Sequence, residues 1–150
     1  MLFHINESPD GTKIISGGKD KTARVWDPQT GNCIATLTGH SETVLGVAFV
    51  DNETAATCSQ DGTIRVWDVK SGNCNFIVKP DGNALCCCNS FPERNIVAVG
   101  SSEGFIFLVD GKKGVLLKSI FGHKSAVCIY LDSSFFLRYQ HFLFCHGCLC

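Results

Sequence analysis

An all-β fold built from a repeated four-stranded unit is what this sequence predicts, and three observations carry that expectation. A six-residue segment recurs at a near-constant interval. Its apolar residues alternate with a period of two, the spacing of a strand with one face in a core, and no stretch places apolar residues at helical spacing. Glycine outnumbers proline 15 to 4, which favours tight turns over Pro-rich linkers.

The recurring segment is Thr22-Ala23-Arg24-Val25-Trp26-Asp27, which returns as Thr63-Ile64-Arg65-Val66-Trp67-Asp68. It returns once more, weakened, as Phe105-Ile106-Phe107-Leu108-Val109-Asp110. The copies open at Thr22, Thr63 and Phe105, so the two steps between them are equal to within one position. A turn ending in glycine follows each copy at the same offset, at Gly31, Gly72 and Gly114. Gly39-His40 reappears as Gly122-His123, with a degenerate Pro80-Asp81 between them. Self-similarity at this period marks a repeat architecture in which each unit is one supersecondary element.

Within a unit the strands follow in order. Ala23 and Val25, Ile64 and Val66, and Ile106 and Leu108 occupy equivalent alternating positions, with Arg24 and Arg65 between the first two pairs. Asp20-Lys21, Asp61-Gly62 and Glu103-Gly104 are short turn signals that join two strands into a hairpin. In the second unit the four strands are expected near residues 44–49, 55–58, 63–67 and 74–78.

Composition narrows the function. Hydrophobic residues make up 45% of the chain, enough for a folded core. The 13 basic and 14 acidic residues leave a net charge of −1, so no field gathers phosphates, and no nucleic acid is expected as a partner. Residues 1–7 meet a charge before any apolar stretch forms, so no secretory leader is expected, and no run is long enough to span a bilayer. The ten cysteines then read as reduced thiols, which places the chain in the cytoplasm, the nucleus or both.

Gly39-His40 followed at this distance by Trp67-Asp68 resembles the WD40 repeat, a family whose repeats fold as four-stranded antiparallel blades of a β-propeller around a central channel. The resemblance covers residues 1–131. It implies blades near 1–38, 41–79 and 82–121 and the first strand of a fourth near 126–131, leaving 132–150 as a non-repeat tail rich in Phe and Cys. Complete propellers typically have about 4–8 blades, and closure protects their sheet edges. Three blades cannot close, so a truncated version of a longer protein is expected, or assembly with further blades or another chain.

The resemblance assigns His40, Thr57, Asp61 and Trp67 to a hydrogen-bonded structural tetrad in the second blade. A buried indole N–H and a buried imidazole each need a partner, which a hydroxyl and a carboxylate supply. The first blade keeps Ser16, Asp20 and Trp26 in matching positions, its Gly-His falling before Met1. The third carries Asp81, Val99, Glu103 and Val109 there, so packing alone is expected to hold it, with looser loops. Hydroxyl, imidazole and carboxylate are also hydrolase ingredients, but this set recurs with the repeat instead of marking one site. No catalytic residue and no cofactor are expected, and the chain is read as no enzyme. Cys33, Cys58 and Cys74 sit at repeat positions expected to be in the core or close-packed. The run Cys86-Cys87-Cys88 lies on a strand, where neighbours face opposite sides and cannot share one metal.

In this family, partners most often meet the loops around Gly-His and around the Asp turn. Here those loops carry Lys19, Lys21, Ser41, Glu42, Thr43, Gln60, Asn83, Ser101, Ser102 and Lys124. Mixed charge and neutral polar groups suit proteins or peptides as partners, and the expected function is a protein-interaction scaffold. The tail has three readings: a non-homologous end, which the break in the repeat favours; lipidation at the closing Cys148-Leu149-Cys150; and an alternative function from another class. Cys145 and Cys148 with Cys150, near His141 and His146, contain enough soft ligands for zinc or redox chemistry carried by the blades. A single Cys-x-x-Cys with no second spaced pair argues against a metal site.

Overall fold

The computed structural model describes residues 2–81 and 85–127. Among the described residues twelve strands form three four-stranded antiparallel sheets, and within each sheet the strands lie in chain order. The first sheet holds β1 (Leu2–Glu7), β2 (Ile14–Gly18), β3 (Thr22–Trp26) and β4 (Cys33–Thr38). The second holds β5 (Val44–Phe49), β6 (Thr54–Ser59), β7 (Ile64–Asp68) and β8 (Cys74–Val78). The third holds β9 (Leu85–Phe91), β10 (Ile96–Ser101), β11 (Phe105–Asp110) and β12 (Val115–Phe121), with a 3-10 turn, Pro92–Arg94, after β9. The all-β expectation holds, and the meander order follows from hairpin connections too short for any crossover.

Alternation along a strand becomes burial according to where its sheet stands. Residues 23–25 in β3 read buried, exposed, buried, because only one face of the first sheet is covered. In β6 five consecutive residues, 55–59, are buried, because the second sheet is packed on both faces. Ile15, Ala23, Val25 and Leu37 of the first sheet meet Val44, Val47, Phe49, Ala55 and Trp67 of the second. On the opposite face Ala56, Cys58, Ile64 and Val78 meet Val97, Val99, Phe107 and Val109 of the third.

The first strands of the three sheets, β1, β5 and β9, lie side by side, and side chains bridge them in place of a backbone ladder. Phe49 donates its N–H to Asn6 Oδ1 at 3.0 Å, and its carbonyl accepts from Ser90 Oγ. His4 Nδ1 lies 3.0 Å from the carbonyl and 3.1 Å from the amide of Val47. Both polar groups of Phe49 are therefore satisfied from flanking sheets, as buried backbone requires.

The last strands face solvent: every residue of β12 is exposed, as are Ile34 of β4 and Ile77 of β8. Cys33, expected in the core or close-packed, is exposed here, and Cys74 is half-buried; their thiols donate to the carbonyls of Ala35 and Phe76. Of these three cysteines only Cys58, on a central strand, is buried. The difference is radial position, since β4 and β8 form the outer edges of their sheets.

The Trp-Asp motif has a local use at this rim. Asp27, Asp68 and Asp110 each accept a backbone N–H from the turn after them, and their carbonyls accept from Gly31, Gly72 and Gly114 four residues on. Gly114 has φ +64°, and a Cβ there would lie 2.3 Å from Cβ of Phe76 on β8. Gly31, at φ +73°, has open space around it. Gly114→Ala is expected to cost about 2–4 kcal/mol and Gly31→Ala about 1 kcal/mol, the difference being the steric term. Urea unfolding of the two variants measures it, and equal losses would mean that Phe76 does not pack on this turn.

Candidate functional site

The second sheet assembles its polar cluster from three places: the loop before β5, the middle of β6 and the ends of the β6–β7 hairpin. Trp67 Nε1 donates to Thr57 Oγ1 at 2.9 Å. Thr57 Oγ1 lies 2.7 Å from His40 Nε2, and His40 Nδ1 lies 2.8 Å from Asp61 Oδ2. Thr57 accepts from the indole and so donates its own proton to Nε2, which leaves Nδ1 as the protonated nitrogen facing the carboxylate. One direction runs through the chain, from indole to hydroxyl to imidazole to carboxylate. The His40 ring also meets the Trp67 ring edge-on at 6.1 Å.

Electrostatics agree with that tautomer. Burial lowers the His40 pKa; the Asp61 hydrogen bond and charge oppose the shift, and the Arg65 charge adds to it. The ring is therefore neutral near pH 7. Burial pushes Asp61 upward, but hydrogen bonds from Thr63, His40 and Ser41 outweigh it and hold the carboxyl at about 2. The side chains of His40 and Asp61 are 1% and 7% exposed, so the cluster is enclosed beneath the loops. Every polar atom of the trio is already engaged within the cluster, which holds loop to strand to strand.

Thr63 belongs to this group although the sequence reading passed over it. Its hydroxyl donates to Asp61 Oδ1 at 2.6 Å and lies 3.3 Å from His40 Nδ1. The signal was present in the repeat, because Thr22 stands two residues after Asp20 just as Thr63 follows Asp61. An Asp accepting from a residue two positions on is the Asx turn.

In the first sheet only half the cluster forms. Trp26 Nε1 donates to Ser16 Oγ at 2.8 Å, but Asp20 does not join them. Its exposed carboxylate accepts instead from Thr22 and, at 3.2 Å, from Arg24. The Asp20 expectation is corrected for a physical reason: no imidazole stands between the carboxylate and the hydroxyl. In the third sheet Val99 and Val109 are buried where Thr57 and Trp67 stand, and Phe107 is buried in the position of Arg65. Apolar contact there replaces the polar cluster.

Of the loop residues, Lys19, Lys21, Ser41, Glu42, Gln60, Ser102 and Lys124 are exposed. Lys21 Nζ donates to the Ser41 carbonyl at 2.7 Å and lies 3.6 Å from Glu42, linking the loops of the first two sheets. Thr43 and Ser101 do not present side chains to that surface, because both are buried. The Thr43 carbonyl accepts from Gln60 N–H, and Ser101 Oγ accepts from the amides of Glu103 and Phe105, as its turn requires. Asn83 and the tail residues Cys145, Cys148 and Cys150 lie outside the described residues. Among the described residues no three metal-ligating side chains lie together, and no helix is long and apolar enough to cross a membrane.

Comparison with known proteins agrees with this geometry. Residues 3–27 and 31–68 match the WD40 family model, described as WD domain, G-beta repeat. A Periodic tryptophan protein 2 homolog from Dictyostelium discoideum is 33% identical over 126 residues, covering 81% of this chain and 14% of that protein. WD repeat-containing protein 86 from Homo sapiens is 46% identical over 51 residues, covering 34% of this chain and 13% of that protein. Polyadenylation factor subunit 2 from Neurospora crassa is 44% identical over 41 residues, covering 27% of this chain and 6% of that protein. The chain thus spans only a small part of the length of each of these relatives. Three four-stranded antiparallel sheets at the period of the Trp-Asp motif, matched by that model over residues 3–68, make this chain a member of the WD40-repeat family.

Proposed function

We propose that the chain is a non-enzymatic protein-interaction scaffold whose binding surface is the loop end carrying Lys19, Lys21, Ser41, Glu42, Gln60, Ser102 and Lys124. One observation carries the reading. The groups with chemical potential, His40, Asp61 and Thr57, are engaged inside the sheet, while the loops they brace keep exposed, mixed-charge side chains. Such a surface is rigid beneath and polar above, which suits recognition of a protein or peptide segment. A near-neutral net charge fits proteins better than nucleic acid as partners. In this reading the blades lie near 1–38, 41–79 and 82–121 as part of a longer propeller, and the chain works in the cytoplasm, the nucleus or both.

Affinity capture with quantitative mass spectrometry tests it. A charge reversal at Lys21→Glu with Glu42→Lys is expected to deplete the wild-type partners by roughly tenfold or more, as rim and hot-spot charges do. Reversal at Lys70 and Lys113, exposed at other turns, is expected to leave them bound. Partners insensitive to the first pair, or lost equally with the second, would place the binding surface elsewhere.

A further inference from the structure

The polar cluster of the second sheet leaves one neighbour unpaired. In the first sheet Arg24 lies 3.2 Å from Asp20, four residues before it. Arg65 and Asp61 occupy the same repeat positions in the second. Both oxygens of Asp61 are already engaged. Oδ2 faces His40 Nδ1 at 2.8 Å and accepts the Ser41 amide at 3.0 Å, while Oδ1 accepts the Thr63 hydroxyl at 2.6 Å and its amide at 2.9 Å. Among the described residues Arg65 therefore has no ion pair and no hydrogen bond, and its Nε is buried without a partner. A buried donor in that state is unfavourable and calls for a reason.

The side chain is nonetheless held in place. Arg65 shares with Trp67 the face of β7 turned to the first sheet, and its guanidinium carbon lies 6.0 Å from the centre of the Trp67 ring. A Cβ on Gly39, just after β4, would lie 2.6 Å from Arg65 Nη1, so glycine there leaves room for the guanidinium. The residue as a whole is half-buried, and with Nε sealed the terminal nitrogens are the part that meets solvent. Ile77, its register partner on β8 and therefore on the same face, is 56% exposed beside it. In the third sheet Phe107 fills the equivalent place at 1% exposed, so an apolar side chain fits this position of the fold. Packing alone does not call for arginine here. A fixed, unpaired guanidinium is instead a preorganised fork for a carboxylate.

We infer that Arg65 and Ile77, where the first two sheets meet, bind an acidic peptide segment of a partner protein. Nη1 and Nη2 take the carboxylate of an Asp or Glu, and Ile77 takes an apolar side chain next to it. The site adjoins the Gly39-His40 loop, so a segment bound here continues over Ser41 and Glu42. The inference rests on the scaffold reading for the existence of a protein partner, and adds the chemistry that the partner presents. Both sheets that form the site stay in place in a longer propeller.

Phage display of a random peptide library on the full chain tests the site, followed by fluorescence anisotropy with a selected peptide. The selected sequences are expected to share an Asp or Glu close to a Leu, Ile, Val or Phe. Arg65→Met, and separately replacement of that acid by its amide, are each expected to weaken binding roughly tenfold, and the two together no further, as a direct pair requires. Urea unfolding of Arg65→Met is expected to show stability unchanged or raised, because no donor is then left buried and unpaired. Wild-type affinity in Arg65→Met, additive losses, or selected peptides without an acid would overturn the inference and leave the scaffold reading standing. Lowered stability in Arg65→Met would make the arginine structural and overturn it in the same way. A library that yields no binder at all would overturn both.

Discussion

Trp67→Ala is expected to lower the unfolding free energy by about 3–5 kcal/mol, the largest loss among the motif residues. Trp67 is 1% exposed and shares a core with Ile15, Val25, Val47 and Phe49, so truncation opens a cavity between two sheets. It also removes the donor to Thr57. Trp26 occupies the same repeat position but is only half-buried on the first sheet, so Trp26→Ala is expected to cost about half as much. Trp67→Phe separates the terms: the ring stays and the N–H goes, for about 1–2 kcal/mol. Urea denaturation of the three variants checks the order. Equal losses for Trp67→Ala and Trp26→Ala would contradict a core centred on the second sheet.

Acid is expected to destabilise the chain in two steps, both traceable to the polar cluster. Burial depresses the His40 pKa, so below its ordinary value of 6.5 the unfolded chain takes up a proton that the folded chain refuses. Stability is full above pH 6.5 and falls as pH drops toward the folded value. His4, whose pKa burial also lowers against the Val47 hydrogen bond, adds to the same limb. Asp61 comes next: its carboxyl titrates at about 2 in the fold and at 3.8 when free of it, so a second loss runs between these values. With solvent screening that second step is on the order of 1–2 kcal/mol. His40→Gln is expected to lower stability at neutral pH by about 2–3 kcal/mol, since it breaks the path between Thr57 and Asp61, and to flatten the first acid limb. Unfolding free energies measured from neutral to mildly acidic pH give the answer. Stability that rises on acidification through this range would mean a protonated His40 paired with Asp61, and would sink the neutral tautomer with its proton on Nδ1.

These effects show how closely sequence reading approached the site. His40, Thr57, Asp61 and Trp67 were legible because the repeat isolates them and a buried indole and imidazole need partners. Thr63 carried an equally regular signal, two residues after the Asp, and was missed because a hydroxyl beside a turn looks like ordinary turn chemistry. Asp20 had the right position and lacked the partner, so its carboxylate went to Thr22 and Arg24. Residue type and spacing do not report such an outcome, because the network exists only when each member has a neighbour.

The amino-acid pattern alone determined the strands, their hairpin order and the all-β class, since a period of two and turn residues at fixed offsets act within a few residues of each other. Only the tertiary structure decided which strand faces are buried once and which twice. It put Thr43 and Ser101 under the loops, left Cys33 exposed, and opened Ile106 and Leu108 to a groove. Alternation says that a strand has two faces; whether a face meets water or another sheet depends on a neighbour distant in sequence, and packing supplies that answer.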